Sequence, residues 1–374
     1  MNFVFVGTSL GARGTEAHMV SMARALSRAG HAVVTVAHPR GFIARELVES
    51  GLRVEPGIFR NAADVRGVRA VLRAIRHSRA DWLVGSFGHE YWPLLAVARM
   101  TGTRVALFRH LNSRLKPASR LLLPRWADRF IAVSVAMRQD LVRQGVPDDR
   151  VQLLYNPLDV EHFRPDAALG EAARRALGIN EAEVLVGFAG ALKQEKGAFC
   201  LAGAFNQAMR VRPALRALWV GEEAAHARLR GLIAPEHQTR HVLLGWTRDM
   251  RPLYAAMDAV AIPSEWQEPF GRVSIEAQAC GTPVLASRIG GLPESLLEGQ
   301  SGLLVPPGDE AAWCDALTTL CDLPPARREA MGMAGARFVQ ERFSSERIVS
   351  EFIAMLVAPA RAPNIVKART GARA

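Results

Sequence analysis

Two glutamates, Glu268 and Glu276, are the residues of this sequence whose type and spacing most clearly suggest chemistry. They bracket Phe270-Gly271, and the pattern predicts a helix from about Gly271 to Cys280. Glu268 then lies in the loop before the helix, and Glu276 lies about one and a half turns inside it. The free N–H groups and the positive end of the helix dipole fall between two carboxylates that accept hydrogen bonds from hydroxyls. This arrangement fits a phosphate with a sugar on each side, as in a sugar nucleotide.

A second candidate phosphate site is the segment 190–197, Gly-Ala-Leu-Lys-Gln-Glu-Lys-Gly. Gly190 ends a predicted buried strand, and Gly197 precedes a predicted helix. Lys196 therefore lies where its ammonium group can reach a ligand beyond the strand. A cation at this point would neutralise a leaving diphosphate, which is what glycosyl transfer requires.

The glycine-containing loop after the first strand invites a dinucleotide-binding interpretation, but its spacing differs. The glycines are Gly7, Gly11 and Gly14, which do not form the G-x-G-x-x-G pattern. The second strand ends at His38 without the acid that would hold a ribose, so a dehydrogenase is disfavoured. Two interpretations stay open: Gly11 and Gly14 let the backbone approach a phosphate or an acceptor, or they form a simple tight turn.

The elements that must position these residues alternate between strand and helix along the chain. This alternation predicts an α/β fold with two Rossmann-like, doubly wound domains that face each other across a cleft. We expect an acceptor-side domain at residues 1–157 and a nucleotide-sugar-binding domain at 158–340. Residues 341–358 are expected to form a helix that packs back towards the first domain, and residues 359–374 a basic, disordered tail.

The composition excludes several classes of protein. The chain has 374 residues, 49% of them hydrophobic, and no apolar run of the ~20 residues that a membrane-spanning helix needs. The N-terminus has no basic region and predicts a strand rather than a signal peptide. The four cysteines lack C-x-x-C spacing, which favours neither a disulfide framework nor a zinc site and suits a reducing cytoplasm.

The positive charge is concentrated in the first half of the chain. Residues 1–157 contain 23 Lys and Arg against 11 Asp and Glu, whereas the whole chain has a net charge of +11. Along the predicted helix 64–78, Val65, Val68, Leu72 and Ile75 form one stripe, and Arg66, Arg69, Arg73 and Arg76 form the adjacent one. A second basic and apolar segment spans residues 109–125. These features are typical either of a core helix with a solvated rim or of a surface that binds anionic lipid. No aromatic residues are interleaved with the arginines, so nucleic acid is not an expected partner.

Taken together, the motifs resemble the retaining glycosyltransferases of family 4, which have the GT-B arrangement of two Rossmann-like domains. The resemblance covers nearly the whole chain and is most specific at the glutamate pair with its Pro-Phe-Gly. The matching segments are Gly14-Thr-Glu16, Asn156-Pro-Leu-Asp159, Gly190 to Gly197, Leu244-Gly245-Trp246, Tyr254 to Asp258, Pro263-Ser264, Glu268-Pro-Phe-Gly271, Glu276-Ala277, Gly281-Thr-Pro-Val284, Gly290-Gly291 and Gly302 to Gly308.

The resemblance implies roles for individual residues. Glu268 is expected to face the donor sugar, Lys196 to stabilise the leaving diphosphate, and Glu276 to hold the ribose. His110 matches the position of a histidine near the donor sugar. The further donor-binding residues implied are Gly11, Gly14, Gly190, Lys193, Gly245, Trp246 (with Gly245, near the base), Phe270, Gly271, Arg272 and Val273.

The reaction implied is transfer of a sugar from a nucleotide-diphosphate sugar with retention at the anomeric carbon, without a metal or a further cofactor. The expected acceptor is a cell-envelope glycan, either lipopolysaccharide or a lipid-linked saccharide, reached from the cytoplasm and, through the basic first domain, from the surface of the inner membrane.

One departure from the family pattern concerns the leaving group. The family has Arg after the glycine that corresponds to Gly190, and this chain has Ala191. We favour a substitute cation, namely Lys193, Arg272 or Arg13. A nucleotide-sugar epimerase of the same fold and a catalytically silent nucleotide-sugar-binding subunit are the alternatives.

Overall fold

The computed structural model describes residues 1–62 and 64–358. Two parallel β-sheets, each with helices on both faces, make up the described chain. The predicted α/β architecture of two Rossmann-like domains is confirmed. The tail predicted for residues 359–374 lies outside the described residues.

The N-terminal domain has seven strands and six helices among the described residues. The strands are β1 Asn2–Gly7, β2 Ala32–Ala37, β3 Arg53–Pro56, β4 Trp82–Gly85, β5 Arg104–Arg109, β6 Arg129–Ala132 and β7 Gln152–Leu153. The helices are α1 Gly14–Arg28, α2 Phe42–Glu49, α3 Val65–Ser78, α4 Tyr91–Thr101, α5 Pro117–Trp126 and α6 Val135–Arg143. The sheet order is β3-β2-β1-β4-β5-β6-β7.

The C-terminal domain repeats the pattern. Its strands are β8 Val184–Ala189, β9 Leu215–Val220, β10 His241–Leu244, β11 Ala259–Ile262, β12 Val284–Ser287 and β13 Gly302–Val305, in the order β10-β9-β8-β11-β12-β13. The helices are α7 Ala167–Leu177, α8 Ala198–Val211, α9 His226–Arg230, α10 Arg251–Ala256, α11 Arg272–Ala279, α12 Glu310–Asp322, α13 Pro325–Phe343 and α14 Ser345–Val357.

The strand order places one switch point in each sheet. β1 pairs with β2 on one side and β4 on the other, and β8 pairs in the same way with β9 and β11. The connections from these central strands therefore leave in opposite directions and open a crevice at the carboxyl ends of the strands.

The strands themselves are buried apolar runs: residues 3–6 of β1 are at most 1% exposed. Such runs are typical of parallel strands covered on both faces.

The last helices return to the N-terminal domain. Phe343, Ile348 and Phe352 belong to the same buried cluster as β1 and β5, and the side chain of Arg129 donates to the carbonyl oxygens of Met355 and Ala358. Helix α13 continues to Phe343, beyond the boundary expected at residue 340. Helix α14 spans Ser345–Val357, within the segment 341–358 that was expected to be helical, and it packs on α1.

Helix α3 differs from its sequence-based prediction. Its buried face consists mainly of small residues, Gly67, Ala70, Val71, Ala74 and Ile75, whereas Val65 is 58% exposed. The physical reason is the close approach of Phe59, whose ring would lie 2.6 Å from a Cβ at position 67. Of the predicted stripe, Ile75 is buried, and Val68 and Leu72 are half-buried against the core. The arginines Arg66, Arg69, Arg73 and Arg76 are exposed.

Helix α5 was not predicted, and it contains Pro124.

One carboxylate joins the two domains across the cleft. Glu294 of the C-terminal domain accepts the backbone N–H groups of Val135 and Ala136, at 2.7 and 2.8 Å, and the hydroxyl of Tyr155 at 3.1 Å. The N–H groups at the start of α6 have no intrahelical partner, and the helix dipole favours an anion there. Glu294 therefore fixes the N-terminal end of α6 against the C-terminal domain.

We predict that Glu294→Ala loosens the contact between the domains. Since three donors lose a charged acceptor, the free energy of unfolding should fall by about 2 kcal/mol or more. Small-angle X-ray scattering should show a larger radius of gyration. The control is Glu298→Ala, because Glu298 pairs with Arg288 inside the C-terminal domain. An unchanged radius for Glu294→Ala would contradict the role of this carboxylate.

Candidate active site

At the switch point of the second sheet, the loops after β8 and β11 are joined by an ion pair. Lys196 Nζ lies 2.6 Å from Glu268 Oε1 and 2.8 Å from Oε2. The carbonyl oxygen of Glu195 accepts the N–H groups of Glu265 and Trp266. Gly197 has φ +69°, and a Cβ there would lie 1.7 Å from the carbonyl oxygen of Pro263. Glycine is therefore required where the two loops touch.

Helix α11 begins directly after these loops, with Gly271 as its N-cap residue. Gly271 has φ +113°, and a Cβ there would lie 2.7 Å from Leu292. Phe270 is buried against Tyr155 and Phe343, which anchors the start of the helix in the core. Val273 is half-buried in the first turn. Along the chain, the N–H groups of the first helical turn follow Glu268 and precede Glu276.

The second carboxylate, Glu276, is also held by a cation. Arg272 Nε donates to Glu276 Oε1 at 2.6 Å, and the Tyr254 hydroxyl donates to Oε2 at 3.1 Å. Arg272 also reaches across the cleft, where its Nη2 lies 3.3 Å from Ser21 Oγ on α1. Its Nη1 is buried and has no hydrogen-bond partner among the described residues.

His110 lies opposite these groups, after β5 of the N-terminal domain. It is buried, and its ring stacks on Phe108 and lies 4.4 Å from the ring of His18. Burial, and then the positive charge of Arg109, lower the pKa of His110 to about 3. The imidazole is therefore neutral at physiological pH. Its Nε2 is buried without a partner among the described residues, so it can exchange a hydrogen bond with a ligand.

The other predicted site residues differ in their surroundings. Gly11 donates to Ser9 Oγ, whereas Gly14 is exposed with open space around its Cα. Gly190 directly follows β8, and Lys193 is exposed. Gly245 packs on Glu223, and Trp246 is 59% exposed. The structure thus brings together, on adjoining elements, Lys196, Glu268, Phe270, Gly271, Arg272, Val273 and Glu276. No hydrogen bond, ion pair or ring contact joins Trp246 or Gly14 to that group within the described residues.

Two residues near the cleft were missed by the sequence interpretation. His18 on α1 is buried, and burial, followed by His110 and Arg272, lowers its pKa well below the usual value. Glu90 is buried beside Thr8, and burial raises its pKa to about 7. The sequence shows His18 two residues after Glu16, and it shows Glu90 at a strand-to-helix junction. It does not show that both side chains are buried.

The space around the site is small in this structure. A cavity of about 80 Å³ between the domains is lined by Asn112, Glu268 and their neighbours, and the Asn112 side chain donates to the carbonyl oxygen of Gln267. A cavity of about 860 Å³ lies elsewhere, at the amino ends of β5 and β6. Among residues 1–62 and 64–358, no group of three or more His, Cys, Asp or Glu is arranged to hold a metal ion.

Comparison with known proteins places this chain in a family. Residues 183–322 match the model "Glycosyl transferases group 1", and residues 12–162 match "Glycosyltransferase Family 4". The D-inositol 3-phosphate glycosyltransferase of Corynebacterium diphtheriae is 30% identical over 366 residues, covering 86% of this chain and 84% of that protein. The chain belongs to the family 4 glycosyltransferases.

Other relatives of this chain match over a shorter span. The D-inositol 3-phosphate glycosyltransferase of Saccharomonospora viridis is 36% identical over 234 residues, which cover 59% of this chain and about half, 53%, of that protein. Among solved structures, Anabaena HepE, in complex with UDP and glucose, superposes with a TM-score of 0.82. The alignment covers 95% of this chain and 99% of that chain at 22% identity, which supports the GT-B fold.

Because Glu90 is neutral only below its raised pKa, the protein should become less stable as the carboxyl group of Glu90 ionises. The pKa rises from 4.5 to about 7 on folding, so the neutral form favours the folded state, and stability is lost as the pH rises from about 4.5 to 7. The shift corresponds to about 3 kcal/mol. Glu90→Gln should remove this loss. The check is urea unfolding of both proteins at pH 5 and pH 8; equal pH dependence would show that Glu90 does not titrate in this range.

Proposed function

We propose that the protein transfers a sugar from a nucleoside-diphosphate sugar to a hydroxyl group of an acceptor, with retention at the anomeric carbon and without a metal. The observation that carries this proposal is the paired arrangement at the start of α11. Lys196 with Glu268 lies on one side, and Arg272 with Glu276 lies on the other. Cations for a diphosphate and carboxylates for sugar hydroxyls thereby occur at one helix N-terminus.

Donor binding would exchange one ion pair for another. The β-phosphate competes with Glu268 for Lys196, and the released carboxylate accepts hydrogen bonds from the donor sugar. On the other side of the helix, Glu276 accepts hydrogen bonds from the ribose. The ammonium group of Lys196 then stabilises the negative charge that grows on the diphosphate in the transition state.

The transfer step needs no base from the protein. The bond between the anomeric carbon and the phosphate oxygen breaks, and its electron pair stays on the diphosphate. The acceptor oxygen forms its bond on the same face of the sugar, and its proton passes to the leaving phosphate oxygen. Neutral His110 serves as a hydrogen-bond partner of the donor sugar and adds no charge beside the electron-poor carbon.

The cation missing at Ala191 is supplied by Arg272 in this proposal. Arg272 has a buried Nη1 without a partner among the described residues, while Lys193 and Arg13 are exposed. A buried guanidinium N–H is costly unless it meets an acceptor, and a phosphate oxygen is such an acceptor. This favours a competent enzyme over a silent binding subunit.

The acceptor is proposed to be a cell-envelope glycan at the cytoplasmic face of the inner membrane. The support is the N-terminal domain, where the four arginines of α3 that we call the basic face, Arg66, Arg69, Arg73 and Arg76, are exposed. Helices α3, α4 and α5 lie side by side, and α5 exposes Leu121 and Trp126. Aromatic and apolar side chains beside arginines suit a headgroup layer. No helix in the described parts of the chain has the length and apolar character to cross a membrane.

The relatives point to a second candidate acceptor, since the proteins of S. viridis and C. diphtheriae are named for D-inositol 3-phosphate. A panel of nucleotide sugars, incubated with a lipid-linked saccharide, with D-inositol 3-phosphate or alone, separates the possibilities. Release of nucleoside diphosphate only with an acceptor supports transfer. A new sugar nucleotide without acceptor would indicate an epimerase, and donor binding without turnover a binding subunit.

Lys196→Ala should abolish transfer. Loss of a charge that stabilises the leaving group lowers kcat by at least about a hundredfold. The measurement is nucleoside diphosphate release at saturating donor. Lys116→Ala, which removes an exposed lysine at the start of α5, is the control and should retain turnover. A kcat for Lys196→Ala close to that of the wild type would refute the site assignment.

Replacing the basic face should weaken membrane binding. Changing Arg66, Arg69, Arg73 and Arg76 to Gln removes attraction of about 1 kcal/mol for each side chain near an anionic surface. Cosedimentation with phosphatidylglycerol vesicles should fall, as it should for the wild type in high salt. The matched control changes the exposed Arg210, Arg230, Arg327 and Arg337 of the C-terminal domain to Gln. Equal loss in both variants would show that net charge, not this face, governs binding.

A further inference from the structure

The cleft side of the first sheet contains a buried carboxylate that the proposed donor chemistry does not use. Glu90 directly precedes α4 and is 0% exposed. Its Oε1 accepts the backbone N–H of Thr8 at 2.8 Å and the Thr8 hydroxyl at 2.7 Å. The N–H of Phe59 lies 3.3 Å from the same hydroxyl oxygen. One side chain thus joins the loops that follow β1, β3 and β4.

The contact between Glu90 and Thr8 lies at the switch point of the first sheet. β1 and β4 are neighbours at the switch point of the first sheet, as β8 and β11 are in the second, where Lys196 meets Glu268. Ligands of open α/β sheets bind at such crevices. The loop after β2 converges there too, since a Cβ on Gly41 would lie 2.6 Å from the carbonyl oxygen of Ser9. Four loops of the N-terminal domain therefore meet around Thr8 and Ser9.

Burial of the Glu90 carboxylate at this point lowers the stability of the fold unless the carboxylate is compensated. No Lys or Arg forms an ion pair with Glu90 among the described residues; His89 Nε2 lies 3.6 Å from its Oε1. Arg109 approaches from β5, beside Gly88 and Tyr91. Glu90 Oε2 is buried without a partner in the described structure. An apolar side chain at this position would stabilise the core more than a buried carboxylate does. We therefore attribute the presence of Glu90 to the two donors of Thr8 that it binds.

We propose that Glu90 is a positioning residue for the acceptor side of the cleft. By holding Thr8, it fixes the loop that contains Gly11 and, through Phe59, the loop before α3. This inference rests on the proposed glycosyl transfer for the identity of the ligand, an acceptor hydroxyl group presented by the N-terminal domain. It assigns Glu90 no contact with the donor, which binds on the other sheet.

Hydrogen–deuterium exchange tests the positioning directly. Relative to wild type, Glu90→Ala should speed amide exchange about tenfold or more in peptides covering residues 7–14 and 57–62, because two hydrogen bonds to the carboxylate are lost. Glu90→Gln, which keeps an oxygen for Thr8, should stay within about threefold of wild type. Peptides covering 271–280 should not change. If Glu90→Ala fails to fold, Thr8→Val removes the same hydroxyl and should speed exchange at residues 57–62.

Kinetics distinguish positioning from a general loss of structure. With the acceptor that supports turnover of the wild type, Glu90→Ala should raise the acceptor KM about tenfold or more and leave UDP-glucose affinity within about twofold, and Glu90→Gln should rescue the acceptor KM. Unchanged loop exchange, or an unchanged acceptor KM, would overturn the inference. Absence of turnover in the wild type would instead count against the proposed function, and the exchange experiment would still decide the role of Glu90.

Discussion

The structure depends on the compensation of buried charge at the ends of the central strands. Each of the two carboxylates around the start of α11 has its own cation: Lys196 for Glu268 and Arg272 for Glu276. A buried or half-buried carboxylate without such a partner would be strongly destabilising. Because the partners of these carboxylates are cations, they can form ion pairs with a diphosphate instead. The carboxylates are then free to accept hydrogen bonds from sugar hydroxyls.

The two domains use the same topology for different purposes. At the switch point of the second sheet, a lysine and a glutamate meet with opposite charges, which suits a charged leaving group. At the switch point of the first sheet, Glu90 meets the neutral donors of Thr8, which suits the fixing of loops around an uncharged hydroxyl. Glu294 and the return of α14 to α1 keep the two crevices opposite each other.

The sequence predicts the fold and the position of α11 well because their determinants are local. Buried apolar runs and the glycines and prolines that break them mark the strands, and Gly271 marks the start of α11. The contacts that define the site are not local: Lys196 and Glu268 are 72 residues apart, and Thr8 and Glu90 are 82 apart. The contact between Phe59 and Gly67 of α3 is likewise one that no periodicity reveals.

The central claim is that the diphosphate of a nucleotide sugar replaces Glu268 as the partner of Lys196. The most direct measurement is a crystal structure of the protein with bound UDP. The account predicts that Lys196 Nζ lies about 3 Å from a β-phosphate oxygen, that its contact with Glu268 is broken, and that the phosphates lie at the N-terminus of α11. UDP bound elsewhere, or bound there with the Lys196–Glu268 pair intact, would contradict it.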